Sequence, residues 1–341
     1  MAENKAANRK KLAGWAKALA PVALGGLAGL AVAVLLQRNS DEGAPPRPPA
    51  PPPVVRAAPA PRPQQASRPA PPAAVRPAVP PAAAPTGAAV PAWQRFAVAA
   101  GPVAGRPMIA VIVDDMGLDR RRSARAVALP GPLTLAFLTY GRELPEQTAA
   151  ARRAGHELLV HIPMQPDDGA ADPGPNVLRA DLAPEELERR LAWGLTRFAG
   201  YVGVNNHMGS RFTADRRAMM ALFAGLRRRG LLFVDSRTTP RTAAPWLAHE
   251  MSLPFAERNV FLDNENDSSE VRQRLRQTEH IARRNGLAVA IGHPRDATLE
   301  ALAAWLPTLG EAGFALVPVS AIVRERLRLA SGAAGAGNGG R

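Results

Sequence analysis

The 341-residue sequence contains no cysteine. Disulfides and thiolate metal sites are therefore excluded, and a metal would have to be held by histidine and carboxylate. Aromatic residues make up only 5 % of the chain. No basic patch interleaved with aromatics appears, which argues against a base-stacking platform for nucleic acid. Lysine is missing after Lys17. The net charge of +14 (43 Lys+Arg against 29 Asp+Glu) therefore rests on arginines spread over helix-like segments. That pattern describes a solvated basic surface and not a nucleic-acid footprint. Long apolar runs are also absent, with one exception at residues 18–36.

That exception is long enough to cross a bilayer as one helix, and longer than the usual core of a cleavable signal. Arg9, Lys10, Lys11 and Lys17 precede it; Asp41 and Glu42 follow it. The positive-inside rule then places residues 1–17 as a cytoplasmic basic tail and 18–36 as a single-pass anchor in the inner (cytoplasmic) membrane. Everything after residue 36 is expected on the periplasmic side. Residues 37–106 are rich in proline and alanine, with PPRPPAPPP near the start. Proline fixes φ and removes donors, so this stretch reads as an extended, disordered tether. At about 3.1 Å per residue, about 50 residues reach roughly 150 Å. The Gly/Ala-rich segment 330–341 is expected to be a disordered tail.

Residues 107–329 alternate between strand and helix patterns. Short apolar, β-branched runs predict strands at 109–113, 133–138, 157–161, 202–205, 231–234, 259–262, 287–291 and 314–317. Helical spacing predicts helices at 184–198, 214–229 (with Thr213 as N-cap), 269–285 and 296–306, and a shorter one within 120–129. Regular βα alternation of this length predicts an α/β fold, either a (β/α) barrel or a doubly wound sheet; eight strand candidates favour the barrel, of seven or eight strands with an irregular closure.

The polar residues fall at strand ends. Asp114 and Asp115 end the first strand, in IAVIVDDMG. His161 ends the third, in GHELLVHIPMQP, and His207 follows the fourth, in VNNHMGSRFT. Asp235 and Arg237 follow the fifth, in LLFVDSRTT, and His293 follows the seventh, in AVAIGHPRD. A parallel barrel gathers these ends at one mouth. Two histidines and a carboxylate suit a divalent metal with an open position. A neighbouring carboxylate can deprotonate water, and a histidine across the mouth can protonate a leaving group. This is the equipment for metal-assisted hydrolysis of an amide or ester. Because side chains alternate along a strand, Asp114 and Asp115 are expected to point differently, one to metal and one to water.

These motifs resemble the divergent polysaccharide deacetylase family, a remote branch of the metal-dependent carbohydrate deacetylases. The likeness covers residues 107–320 and leaves out the anchor and tether. It implies Asp114 as general base, His293 as general acid, and Asp115 and His161 as ligands of a divalent metal such as zinc. The better-known deacetylases carry a second histidine ligand four residues after the first. Here that position is Gln165, so His207 becomes the candidate second ligand. Asp235, Arg237, Gln165 and Asn206 are the candidates for substrate contact or support of the ligands. The resemblance also implies a polysaccharide partner, such as peptidoglycan, and removal of N- or O-linked acetyl groups. The missing histidine and the lack of a clear arginine motif leave one alternative: an inactive barrel that binds glycan or an envelope protein.

Overall fold

The computed structural model describes residues 90–336. The expected membrane span and most of the tether lie outside the described residues. No helix among the described residues is long and apolar enough to cross a membrane.

Among the described residues there are nine strands: β1 (Met108–Met116), β2 (Thr134–Leu138), β3 (Glu157–Met164), β4 (Gly203–Met208), β5 (Leu232–Asp235), β6 (Phe255–Glu257), β7 (Val260–Phe261), β8 (Leu287–Gly292) and β9 (Ala315–Leu316). All pairings are parallel, in the order β6-β5-β4-β3-β2-β1-β8-β7, with β9 beside the start of β1. The ends of this ladder, β6 and β7, are consecutive in the chain. Between them, Arg258 N donates to Asp235 O and Asn259 N donates to Val289 O. The chain thus leaves the edge of β5 and joins the edge of β8, curling the sheet into a distorted barrel with a seam at this crossing. The single strand predicted at 259–262 is half of this split element.

Around the sheet lie α1 (Ala92–Arg95), α2 (Arg120–Val127), α3 (Leu144–Arg153), α4 (Pro184–Leu195), α5 (Ser210–Ala214), α6 (Arg216–Arg228), α7 (Ala244–Glu250), α8 (Ser268–Asn285), α9 (Asp296–Trp305) and α10 (Val319–Ala336). Asp215 caps α6, its carboxylate accepting from Ala218 N; Thr213 does not. Thr213 instead lies inside α5, its hydroxyl donating to Gly209 O.

Period-2 alternation divides the strand residues between two cores. Ile109, Val111, Leu135, Phe137, Leu158 and Val160 pack outward with the helices. Ala110, Ile112, Ala136, Leu159, Val234 and Val289 form the inner layer. Asp114 and His161 share the inward parity of Ile112 and Leu159, so the alternation that fills the barrel also aims them into it.

The fold takes in residues before 107, the boundary at which the tether is expected to end. Trp93 is 4 % exposed within the inner cluster, and its N–H donates to Gly230 O. A large apolar side chain with a core position to fill holds this segment down. At the other end, α10 runs past residue 329 to Ala336, because Val319, Ile322 and Val323 anchor its first turns in the same layer. Glu157, fully buried, ties the two segments together. Its carboxylate accepts from Val98 N, Ser320 N and the Ser320 hydroxyl.

Candidate metal centre

Both aspartates of β1 reach the same mouth, which regular strand alternation alone would not allow. Asp115 has φ +55°, and the register of β1 against β2 shifts between Val113 and Met116. This left-handed turn breaks the alternation and swings Asp115 back beside Asp114. His161 Nε2 then stands 3.7 Å from Asp114 Oδ2 and 3.3 Å from Asp115 Oδ1. Met208 (φ 52°) and Arg237 (φ 53°), at the ends of β4 and β5, are also left-handed. Three of the seven left-handed non-glycine residues among the described ones thus line this one cavity.

Asp115, His161 and His207 offer ligand atoms that all lie within 4.8 Å of one another. His207 Nδ1 is 2.9 Å from Asp115 Oδ1. Asp115 Oδ1 is buried and has no hydrogen-bond partner among the described residues. His161 Nδ1 lies 2.9 Å from Asn205 Oδ1, while Asn205 Nδ2 donates to Asp114 Oδ1 at 2.7 Å. A carboxylate accepts only, so the amide must present its NH2 to Asp114 and its oxygen to His161. His161 therefore carries its proton on Nδ1, and Nε2 turns a lone pair toward Asp115. Three Lewis-basic atoms crowded together repel unless a cation or proton lies among them. An N/N/O set of this kind fits a divalent cation. Burial raises the Asp115 carboxyl pKa, but the neighbouring His161 and His207 rings outweigh it and hold the group far below the usual carboxylate range.

Asp114 is 3 % exposed. Burial raises its carboxyl pKa, against the pull of His161 and His293. Ser236 Oγ donates to Asp114 Oδ2 at 3.4 Å. Across the cluster, His293 Nε2 is 3.8 Å from Asp115 Oδ2. His293 Nδ1 is 3.0 Å from Asp263 Oδ1, and the other Asp263 oxygen accepts from His293 N and Thr298 Oγ1. Burial lowers the His293 pKa, but its hydrogen bond to Asp263 and that group's charge more than reverse the shift. A raised carboxylate and a raised imidazole flank the same point, the pairing needed for a base and an acid near neutral pH. Together they line a cavity of about 450 Å3.

The remaining sequence candidates divide. Arg237 and Asn206 line the cavity. Asn206 is engaged with backbone: Nδ2 donates to Met208 O and Oδ1 accepts from Ser236 N. Asp235 does not line it. It shares the outward parity of Phe233 and accepts from Arg237 N, holding that strained turn. Gln165 is also elsewhere. Its Oε1 accepts from Ala180 N and its backbone oxygen from Arg211 N and Phe212 N, so it pins a loop.

The sequence reading missed Asn205, Ser236, Asp263 and Arg258. Counting back two residues from His207 selects Asn205 over Asn206, and counting on from Val234 selects Ser236 over Asp235. Asp263 directly follows an apolar run, the same signal that marked the other sites. Arg258 carries no such signal, because it lies at the strand break.

A curled parallel sheet thus carries an Asp/His/His cluster at its strand ends, with Asp114 and His293 in the same cavity. The chain belongs to the divergent polysaccharide deacetylase family, whose sequence profile matches residues 111–323. It is 32 % identical over 209 residues to an uncharacterised protein of Haemophilus influenzae, covering 60 % of this chain and 72 % of that one. It is 33 % identical over 195 residues to the uncharacterised protein YibQ of Escherichia coli, covering 57 % of this chain and 60 % of that one. The crystal structure of uncharacterised protein ATU2773 from Agrobacterium tumefaciens superposes with a TM-score of 0.66 at 31 % identity, covering 68 % of this chain and 95 % of that one.

Proposed function

We propose that this protein is a metal-dependent hydrolase that removes N- or O-linked acetyl groups from a cell-envelope polysaccharide. It acts from the periplasmic face of the inner membrane, anchored by residues 18–36. Family membership supports the deacetylase class, and the length and flanking charge of 18–36 support the placement. The observation that carries the reading is the convergence of Asp115, His161 and His207 beside two groups suited to acid–base work.

Asp115, His161 and His207 would hold the cation, with zinc the best match to their donor types. When bound, it supplies Lewis-acid polarisation of the acetyl carbonyl and acidifies water. Asp114 accepts the proton of the attacking water, its carboxylate oriented by Asn205 and Ser236. His293 delivers a proton from Nε2 to the departing sugar nitrogen or oxygen, while Asp263 keeps the opposite ring nitrogen protonated and the ring aimed.

Bound metal and acetate release from a panel of acetylated glycans test this reading. Asp115→Asn and His207→Ala should lose metal, since an amide or methyl is a weaker ligand or none. Asp114→Asn should keep metal and lose ~10²–10⁴-fold in rate. Gln165→Ala should keep metal. Full occupancy in both ligand variants would sink the site. A loaded wild-type protein that releases acetate from no glycan would instead point to a glycan-binding barrel.

A further inference from the structure

Arg258 lies at the barrel seam between β6 and β7. Its guanidinium is fixed by its surroundings. Nε donates to Ser236 O and Nη2 to Arg237 O, each at 2.7 Å. The guanidinium carbon sits 4.9 Å from the centroid of the Phe261 ring, which meets the His293 ring edge-on at 5.5 Å. No carboxylate among the described residues forms an ion pair with it, and its Nη1 has no hydrogen-bond partner among them. Nearby arginines differ: Arg237 pairs with Glu257 at 2.8 Å and Arg241 with Asp167 at 3.0 Å. Burial lowers the Arg258 pKa, against the charges of Asp235 and Asp114 that lie nearby without pairing with it.

Arg258 walls two adjoining spaces. One is the reaction cavity; the other, of about 440 Å3, is bounded by Arg237, Thr239, Glu257 and Asn259. A neutral acetyl group needs no cation beyond the metal centre. A half-buried guanidinium, locked on one edge and open on the other, is built to meet an anionic oxygen with charge-assisted hydrogen bonds.

We propose that Arg258 forms a specificity subsite for a carboxylate on the glycan, carried on or next to the sugar that bears the acetyl group. The subsite makes an anionic acetylated polysaccharide the preferred ligand over a neutral one. This rests on the deacetylase reading for the glycan class, so binding is measured apart from acetate release.

The test uses the full-length chain and three oligosaccharides in titration calorimetry. They are a β-linked N-acetylglucosamine tetrasaccharide, its counterpart with O-lactyl carboxylates on alternate sugars, and the methyl ester of that counterpart. The carboxylate form should bind about tenfold tighter than the other two, as expected for one desolvated charge-assisted contact. The gap should narrow as salt screens the pair. Arg258→Gln should bring the ratio of affinities toward one. Arg258→Lys, which keeps charge but loses the fork, should give an intermediate ratio. Equal affinities in the wild type, or no binding of any of the three, would overturn the subsite, as would a ratio that survives in folded Arg258→Gln. Should Arg258→Gln fail to melt cooperatively, the wild-type ester comparison and the Arg258→Lys ratio decide. A tenfold preference without acetate release would retire the hydrolase reading and leave the subsite standing.

Discussion

The amide of Asn205 faces His161 with its oxygen, at 2.9 Å from Nδ1. Its NH2 is already committed to Asp114. One side chain thereby fixes the tautomer of a metal-ligand candidate and the orientation of the candidate base. Asn205→Ala should lower metal affinity by about 10–100-fold, the usual effect of losing a partner behind a ligating histidine. Competition with a chelator of known affinity reads this directly. An unchanged affinity would mean that His161 needs no such partner.

Asp263 should govern the alkaline side of the activity profile. Its charge helps raise the His293 pKa above the ordinary imidazole value, against burial. The acid must be protonated to act, so activity is lost as pH rises through that raised pKa. Asp263→Asn keeps an oxygen for His293 Nδ1–H but removes the charge. The alkaline limb of kcat/KM should then move to lower pH, with the acid limb in place. A uniform loss of rate at every pH would assign Asp263 to packing alone.

His156 should make stability fall in mild acid. Its Nδ1 accepts from Leu133 N and its Nε2 lies 2.9 Å from Val127 O, so the fold holds the neutral, Nε2-protonated ring. Burial lowers its pKa from 6.5. The unfolded chain takes up a proton near that ordinary value while the native ring does not, so unfolding free energy declines as pH drops through it. The decline levels off once the native ring also protonates. Urea unfolding at about pH 7.5 and about pH 5.5 should show a smaller pH difference in His156→Gln than in the wild type. Equal differences would place the acid sensitivity elsewhere.

Trp93 should be worth more than its place beside a proline-rich segment suggests. It is buried in the inner cluster with Met108 and Val323. Trp93→Ala should reduce stability by about 3–5 kcal/mol, the range for emptying a large aromatic site in a core. A fragment spanning 107–329 should unfold at a lower temperature than one spanning 90–336. Identical melts would show that the segment before residue 107 contributes nothing to the domain.

Much of the frame was legible because its signals are local. All eight predicted runs fall on or overlap strands, since a parallel strand buried on both faces must be apolar wherever it lies. His161, His207 and the two aspartates were legible because a polar residue directly after such a run emerges at the barrel mouth. Asp235 is one residue out of phase with the cavity, and Asn206 lines it while its neighbour Asn205 makes the contacts to His161 and Asp114. Strand parity decides which neighbour faces inward, and the starting phase is visible only when the inner and outer layers are both in place.

The sequence by itself determined the βα alternation, the donor types and the candidate span and tether, because apolar runs, missing cysteines and proline content act through local chemistry. The tertiary structure alone decided the rest. A left-handed Asp115 brings two adjacent carboxylates to one cluster, and β4 sets Asn205 between residues 44 and 91 positions away. The split of one strand into β6 and β7 delivers Arg258 to the site. Each is a long-range consequence of curling a sheet until its edges meet, and residues that touch only after closure leave no periodic trace along the chain.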